Sequence, residues 1–122
     1  MGYRSDVALA ISKDLMPRFL TVFAKCPEAQ ALVFKDHETM DQDYDGEKTF
    51  FVYWSGIKWY TSYPEIQAIE EFLAECEADD FEELENSYDH YRFVRLGEEN
   101  DDIEEMGELC ACDINFRREL VF

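Results

Sequence analysis

The sequence predicts one α+β domain, an antiparallel-rich sheet with two helices on one of its faces. Three observations predict it. The first is residues 49–60, TFFVYWSGIKWY, in which six of twelve residues are aromatic. Bulky side chains suit a pleated, half-buried surface, so this reads as a central strand. The second is a pair of helical periodicities set among several strand-like runs, which is the pattern of helices segregated to one side of a sheet. The third is size. A chain of 122 residues, 47% apolar and 16% aromatic, is one domain with a real core. It buries roughly two-thirds of its unfolded surface and needs no staple to fold.

Taken in order, residues 3–11 alternate, with Tyr3, Ser5, Val7, Leu9 and Ile11 on one face and Arg4, Asp6, Ala8 and Ala10 on the other. Small or apolar residues on both faces toward the end place this strand inside a sheet. Ser12 or Asp14 caps a helix in which Pro17 falls in the first turn and Leu15, Phe19, Val22, Phe23 and Cys26 recur at helical spacing. Pro27 ends it. Residues 31–35 (ALVFK) read as a short strand and residues 36–48 as a polar loop. The aromatic strand follows, with a bulge expected at Ser55-Gly56. Ser62 and Glu65 form a capping box for a second helix. Ile66, Ile69, Phe72, Leu73 and Cys76 are its buried stripe. Residues 91–96 alternate again, residues 97–107 are an acidic loop, and residues 109–122 close the chain as a strand. The order β-α-β-β-α-β-β begins with the split arrangement of ferredoxin-like folds, plus an extra C-terminal strand. Right-handed crossovers set the two helices side by side, with outer faces of opposite sign, Arg18 and Lys25 on one and glutamates on the other.

Net charge is −18, and it is unevenly placed. Residues 1–61 hold 9 acids and 7 bases, whereas residues 62–108 hold 18 acids and 2 bases, net −16. Such a surface repels nucleic acid and anionic membrane and favours a basic partner. No apolar run approaches the ~20 residues of a membrane span. The opening MGYRSDVALAI lacks the basic start and long apolar region of a signal peptide, so a cytoplasmic setting is expected. Cys26, Cys76, Cys110 and Cys112 fit apolar faces of predicted elements, as in a reducing compartment. They lack the two tight pairs of a structural zinc site, so no cofactor is expected.

Asp41, Asp43, Asp45 and Gly46 match the start of a calcium loop, where alternate carboxylates offer oxygen ligands to a hard cation. Position twelve is then Val52 rather than a bidentate Glu, so the competing reading is a hairpin with Asp45-Gly46 in its turn. His37 and His90 have no recognisable nucleophile beside them in sequence, and no enzyme is predicted. The acidic surface is the candidate partner site: Glu70, Glu71, Glu75, Glu77, Asp79 and Asp80 from the second helix and its extension, then Asp101, Asp102, Glu104 and Glu105 with Ile103 as an apolar anchor. The bland reading of such runs is a solvated face.

GYRSDVALAI, WSGIKWY with YPEI, and RFVRLGE with DDIEE together resemble small uncharacterised proteins encoded by tailed phages and prophages. The resemblance covers most of the chain and carries no catalytic or binding residues. It implies a phage origin and action inside the host cell. The expected function is therefore a non-enzymatic binding protein whose acidic half engages a basic host protein, in its sharper form a DNA mimic. The rival is a homodimeric assembly module built on an aromatic sheet face, with acidity serving solubility.

Overall fold

A computed structural model describes residues 2–43, 48–78, 86–99, 101–109, 115–116 and 120–121, with side chains up to residue 109. β1 (Ser5–Ile11) is the middle strand of a five-stranded antiparallel sheet. Its sequence explains the position, because Val7, Leu9 and Ile11 on one face and Ala8 and Ala10 on the other are all fully buried. β2 (Thr39–Asp41) lies at one edge, followed by β3 (Phe50–Ile57) beside β1. β4 (Tyr91–Leu96) flanks β1 on its other side, and β5 (Ile103–Met106) forms the opposite edge.

The bulge in β3 decides which side chains reach the core. Val7 pairs with Trp54 and Ser5 with Ile57, so Ser55 and Gly56 share the place opposite Asp6. Gly56 sits at φ +61°, in the left-handed region that glycine enters without a Cβ penalty. Its amide donates to Asp6 Oδ1 at 2.9 Å and its carbonyl accepts from Arg4 Nη1 at 2.7 Å. The extra residue reverses the alternation. Ile57 and Trp59 therefore join Trp54, where unbroken alternation would have set them beside Phe51 and Tyr53. Trp59 packs at a tilt against Trp54 and Phe93, with centroids 5.5 and 5.7 Å apart.

α1 (Met16–Lys25) starts with Pro17 in its first turn and buries Phe19, Val22 and Phe23. Pro27 ends it and also opens α2 (Pro27–Phe34), since a proline is tolerated at the first helical position. The expected strand at 31–35 is thus a helix. Ala29, Leu32 and Val33 lie at i, i+3 and i+4 and bury one face, and that spacing outweighs the strand preference of Val33 and Phe34. The second strand is instead β2, inside the segment expected to be a polar loop. Its three residues are mostly exposed, and backbone pairing with β3 rather than side-chain burial places them there.

α3 (Pro64–Ala78) buries Ile66, Ile69, Phe72, Leu73 and Cys76. Each large apolar side chain among them contributes roughly 1.5–3 kcal/mol by leaving water. All three helices found among the described residues pack on one sheet face, in a single cluster with Val7, Leu9, Ile11, Val52, Trp54, Tyr91 and Phe93. The helix count is three, not the expected two. On the other face Ala8, Ala10, Phe51 and Val94 are buried against Tyr53 and Leu109. The expected closing strand over 109–122 is also corrected. β6 (Asn115–Phe116) and β7 (Leu120–Val121) pair with each other, as a separate two-stranded sheet. The fifth strand of the main sheet comes from the segment expected to be an acidic loop.

Candidate acidic interface

α3 is 15 residues long, about 22 Å at 1.5 Å per residue. Glu71 and Glu75 are exposed on it. They line a shallow groove opposite Thr21 and Lys25 of α1, so faces of opposite sign meet along the α1–α3 seam. Glu70 is half-buried and accepts the Thr61 hydroxyl at 2.6 Å. Glu77 Oε1 accepts from the Tyr91 hydroxyl at 2.6 Å and from the Gly107 amide at 3.2 Å. This carboxylate fastens the end of α3 to the end of β5. Burial first, and the Glu77 contact second, push the Tyr91 hydroxyl well above its ordinary value. Asp79 and Asp80 lie outside the described residues.

The second acidic segment is built around Arg95 of β4. Its guanidinium meets Asp102 Oδ1 at 2.7 Å and Oδ2 at 3.3 Å, Glu104 at 3.0 Å and the Ser5 hydroxyl at 3.0 Å. The Tyr3 hydroxyl donates to Asp102 Oδ2 at 2.6 Å and accepts the Glu99 amide at 3.1 Å. The Gly97 amide donates to the Asp102 carbonyl at 2.8 Å, closing the turn. The Arg95 bonds, then the Tyr3 bond, hold the Asp102 carboxyl below its ordinary value. The same contact raises the Tyr3 hydroxyl. Arg92, also on β4, pairs with Glu105 at 2.6 Å.

The acids expected to face a partner therefore divide. Glu71, Glu75 and Asp101 point to solvent. Asp102 and Glu104 answer Arg95, Glu105 answers Arg92, and Glu70 and Glu77 hold the ends of α3. Ile103, 36% exposed, is one of two large apolar side chains that stand out among the described residues. Sequence reasoning did not assign Tyr3, Arg92 or Arg95 to this site. The signal was present in RFVRL followed by DDIEE. It becomes legible only once the β4–β5 register sets Arg95 opposite Glu104.

The remaining candidates are tied up locally. Asp41 Oδ1 accepts the Asp43 amide at 2.9 Å, and Asp43 Oδ1 accepts the Lys48 amide at 2.7 Å. Asp45 lies outside the described residues. Among those residues no three His, Cys, Asp or Glu side chains gather as metal ligands. Cys76 is in the core and Cys26 donates to Glu28 at 3.4 Å; Cys110 and Cys112 are outside the described residues. His37 Nδ1 lies 2.9 Å from the Val33 carbonyl. Ser12 Oγ stands 2.8 Å from His90 Nδ1, a pairing the sequence did not reveal. Ser12 also exchanges bonds with the His90 carbonyl and the Leu15 amide, so it closes the turn into α1. No helix among the described residues is long and apolar enough to cross a membrane.

Comparison with protein-family models, curated proteins and solved structures gave no match.

Proposed function

We propose that this chain is a non-enzymatic, phage-encoded binding protein that acts in the host cytoplasm. Its acidic half engages a basic surface on a host protein, in the sharper form as a DNA mimic occupying a DNA-binding or defence enzyme. One observation carries the reading: the Glu77–Gly107 bond joins the end of α3 to the end of β5, so the two most acidic segments run into one another. A duplex presents about one charge per 1.7 Å of axis, so about 22 Å of helix with five glutamates imitates only a short stretch. The β5 segment supplies the continuation. The strand order, with the first strand central and antiparallel to both neighbours, supports a ferredoxin-like sheet carrying these segments on one side.

The rival, a homodimer through an aromatic sheet face, has less behind it. Phe51, Ala8, Ala10 and Val94 are already buried within one chain, and Trp59 has turned to the helix side.

The test is affinity capture from a bacterial lysate at low and high salt, followed by competition with duplex DNA. Wild type should retain a DNA-binding protein that is released by salt and by DNA. The triple charge reversal Glu71→Lys/Glu75→Lys/Asp101→Lys should retain none. These three positions are chosen because reversing Asp102, Glu104 or Glu105 would set a cation against Arg95 or Arg92. Capture by the triple variant equal to wild type would sink the proposal. A dimer in light scattering that persists at high salt would move the weight to the rival.

A further inference from the structure

One groove is lined by lysines and apolar side chains, with no acid among its described lining residues. It encloses about 350 Å³ between α1, α2 and the start of β3. Its walls are Met16, Leu20, Phe34 and Phe50. Lys13 and Lys48, both exposed, stand on its rim. Leu20 is 46% exposed, the highest value among the large apolar side chains described. Neither lysine ammonium has an ion-pair partner among the described residues. In a chain of net charge −18, two lysines on the rim of one apolar floor make a local cationic edge.

The backbone adds an independent sign. Lys48 sits at φ +62°, a left-handed conformation that a side chain with a Cβ rarely adopts. The Asp43 carboxylate holds its amide, and the Asp41 carboxylate holds the Asp43 amide. These two acids are thus bonded to the loop that presents Lys48. Backbone strain of this kind collects where a surrounding structure must aim a functional group. The size and the apolar lining, with a few placed polar groups, match a small-molecule site.

We propose that this groove binds a small amphiphilic carboxylate. Its apolar body lies on Met16, Leu20, Phe34 and Phe50, and its acid group sits between Lys13 and Lys48. The site is separate from the acidic surface, so either can fail without the other. The overall field of the protein attracts cations and repels anions. A preference for the anion can therefore come only from the local lysines.

The experiment is calorimetric titration of the full chain with three ligands of equal chain length: decanoate, decanol and decyltrimethylammonium. Each is used below its aggregation threshold. Decanoate should saturate at one site per chain and bind at least tenfold tighter than the other two. The Lys13→Glu/Lys48→Glu variant should lose at least tenfold in decanoate affinity while decanol changes less than twofold. A second variant, Lys25→Glu/Lys58→Glu, changes the net charge equally at residues outside the groove's lining and should leave decanoate binding within twofold. Near-ultraviolet dichroism checks that every variant keeps its packing. No saturable decanoate binding, ammonium binding as tight as carboxylate, or equal losses in the two lysine pairs would each overturn the proposal.

Discussion

Replacing Asp102 by Asn separates the acids that build this fold from those free to meet a partner. Asp102 accepts two bonds from Arg95 and one from Tyr3, and the Arg95 side chain is only 17% exposed. Asn keeps the shape but replaces one acceptor oxygen with a donor, so either Arg95 or Tyr3 loses its partner. A charge-assisted hydrogen bond is worth roughly 1.5–3 kcal/mol when well buried. The Asp102 side chain is 32% exposed, and solvent screening pulls such pairs toward about 1 kcal/mol or less. We expect a net loss of about 1–1.5 kcal/mol on that reasoning. Asp101→Asn, one residue away and solvated, should stay within about 0.5 kcal/mol of wild type. Urea unfolding followed by tryptophan fluorescence measures both, since Trp54 and Trp59 are 1% and 9% exposed. The pH dependence has a defined sign. The folded Asp102 carboxyl lies below its ordinary 3.8, so its contribution is complete above that value and is lost as pH falls through the folded one. The gap between Asp102→Asn and wild type should close in acid. Equal stabilities for Asp101→Asn and Asp102→Asn at pH 7 would refute the assignment of Asp102 to the frame.

Two further outcomes follow from the core and the backbone. Burial, aided by Glu75 and Glu77, pushes the Cys76 thiol from 9.0 up to about 12, and Tyr91 is raised for a similar reason. A raised folded value means the contribution is intact below pH 9 and is lost as pH climbs toward 12. Thermal midpoints should therefore drop above about pH 9, and Cys76→Ala should make that drop shallower; an unchanged slope would count against a buried neutral thiol. Gly56 and Gly107 both sit at positive φ, +61° and +84°. An added methyl at Gly56 meets nothing closer than Arg4 Cδ at 3.9 Å, whereas at Gly107 it overlaps the Tyr91 carbonyl oxygen. Gly56→Ala should cost about 1 kcal/mol from backbone strain alone. Gly107→Ala should cost about 2–4 kcal/mol once overpacking is added. Similar losses in a urea series would show that the Tyr91 carbonyl gives way freely.

The sequence by itself determined the elements whose side-chain period is long and unmixed. The alternation of Val7, Leu9 and Ile11 against Ala8 and Ala10 was enough to place β1 inside the sheet, and the stripe Ile66 to Cys76 was enough for α3. Ser55-Gly56 marked the bulge, because only glycine takes its backbone without strain. Short elements were ambiguous. Residues 31–35 look strand-like alone and helical only with Ala29 and Pro27 counted in, and β2 has too few residues to show any period. The acidity of residues 62–108 was plain, but its division was not. Whether a carboxylate faces solvent or an arginine depends on strand register, and register joins residues far apart in the chain. Tyr3 and Asp102 are 99 positions apart in the chain, yet their side chains are hydrogen-bonded at 2.6 Å. Only the tertiary structure brings them together, because the bulge, the β4–β5 pairing and the packing of α3 on the sheet set that geometry jointly.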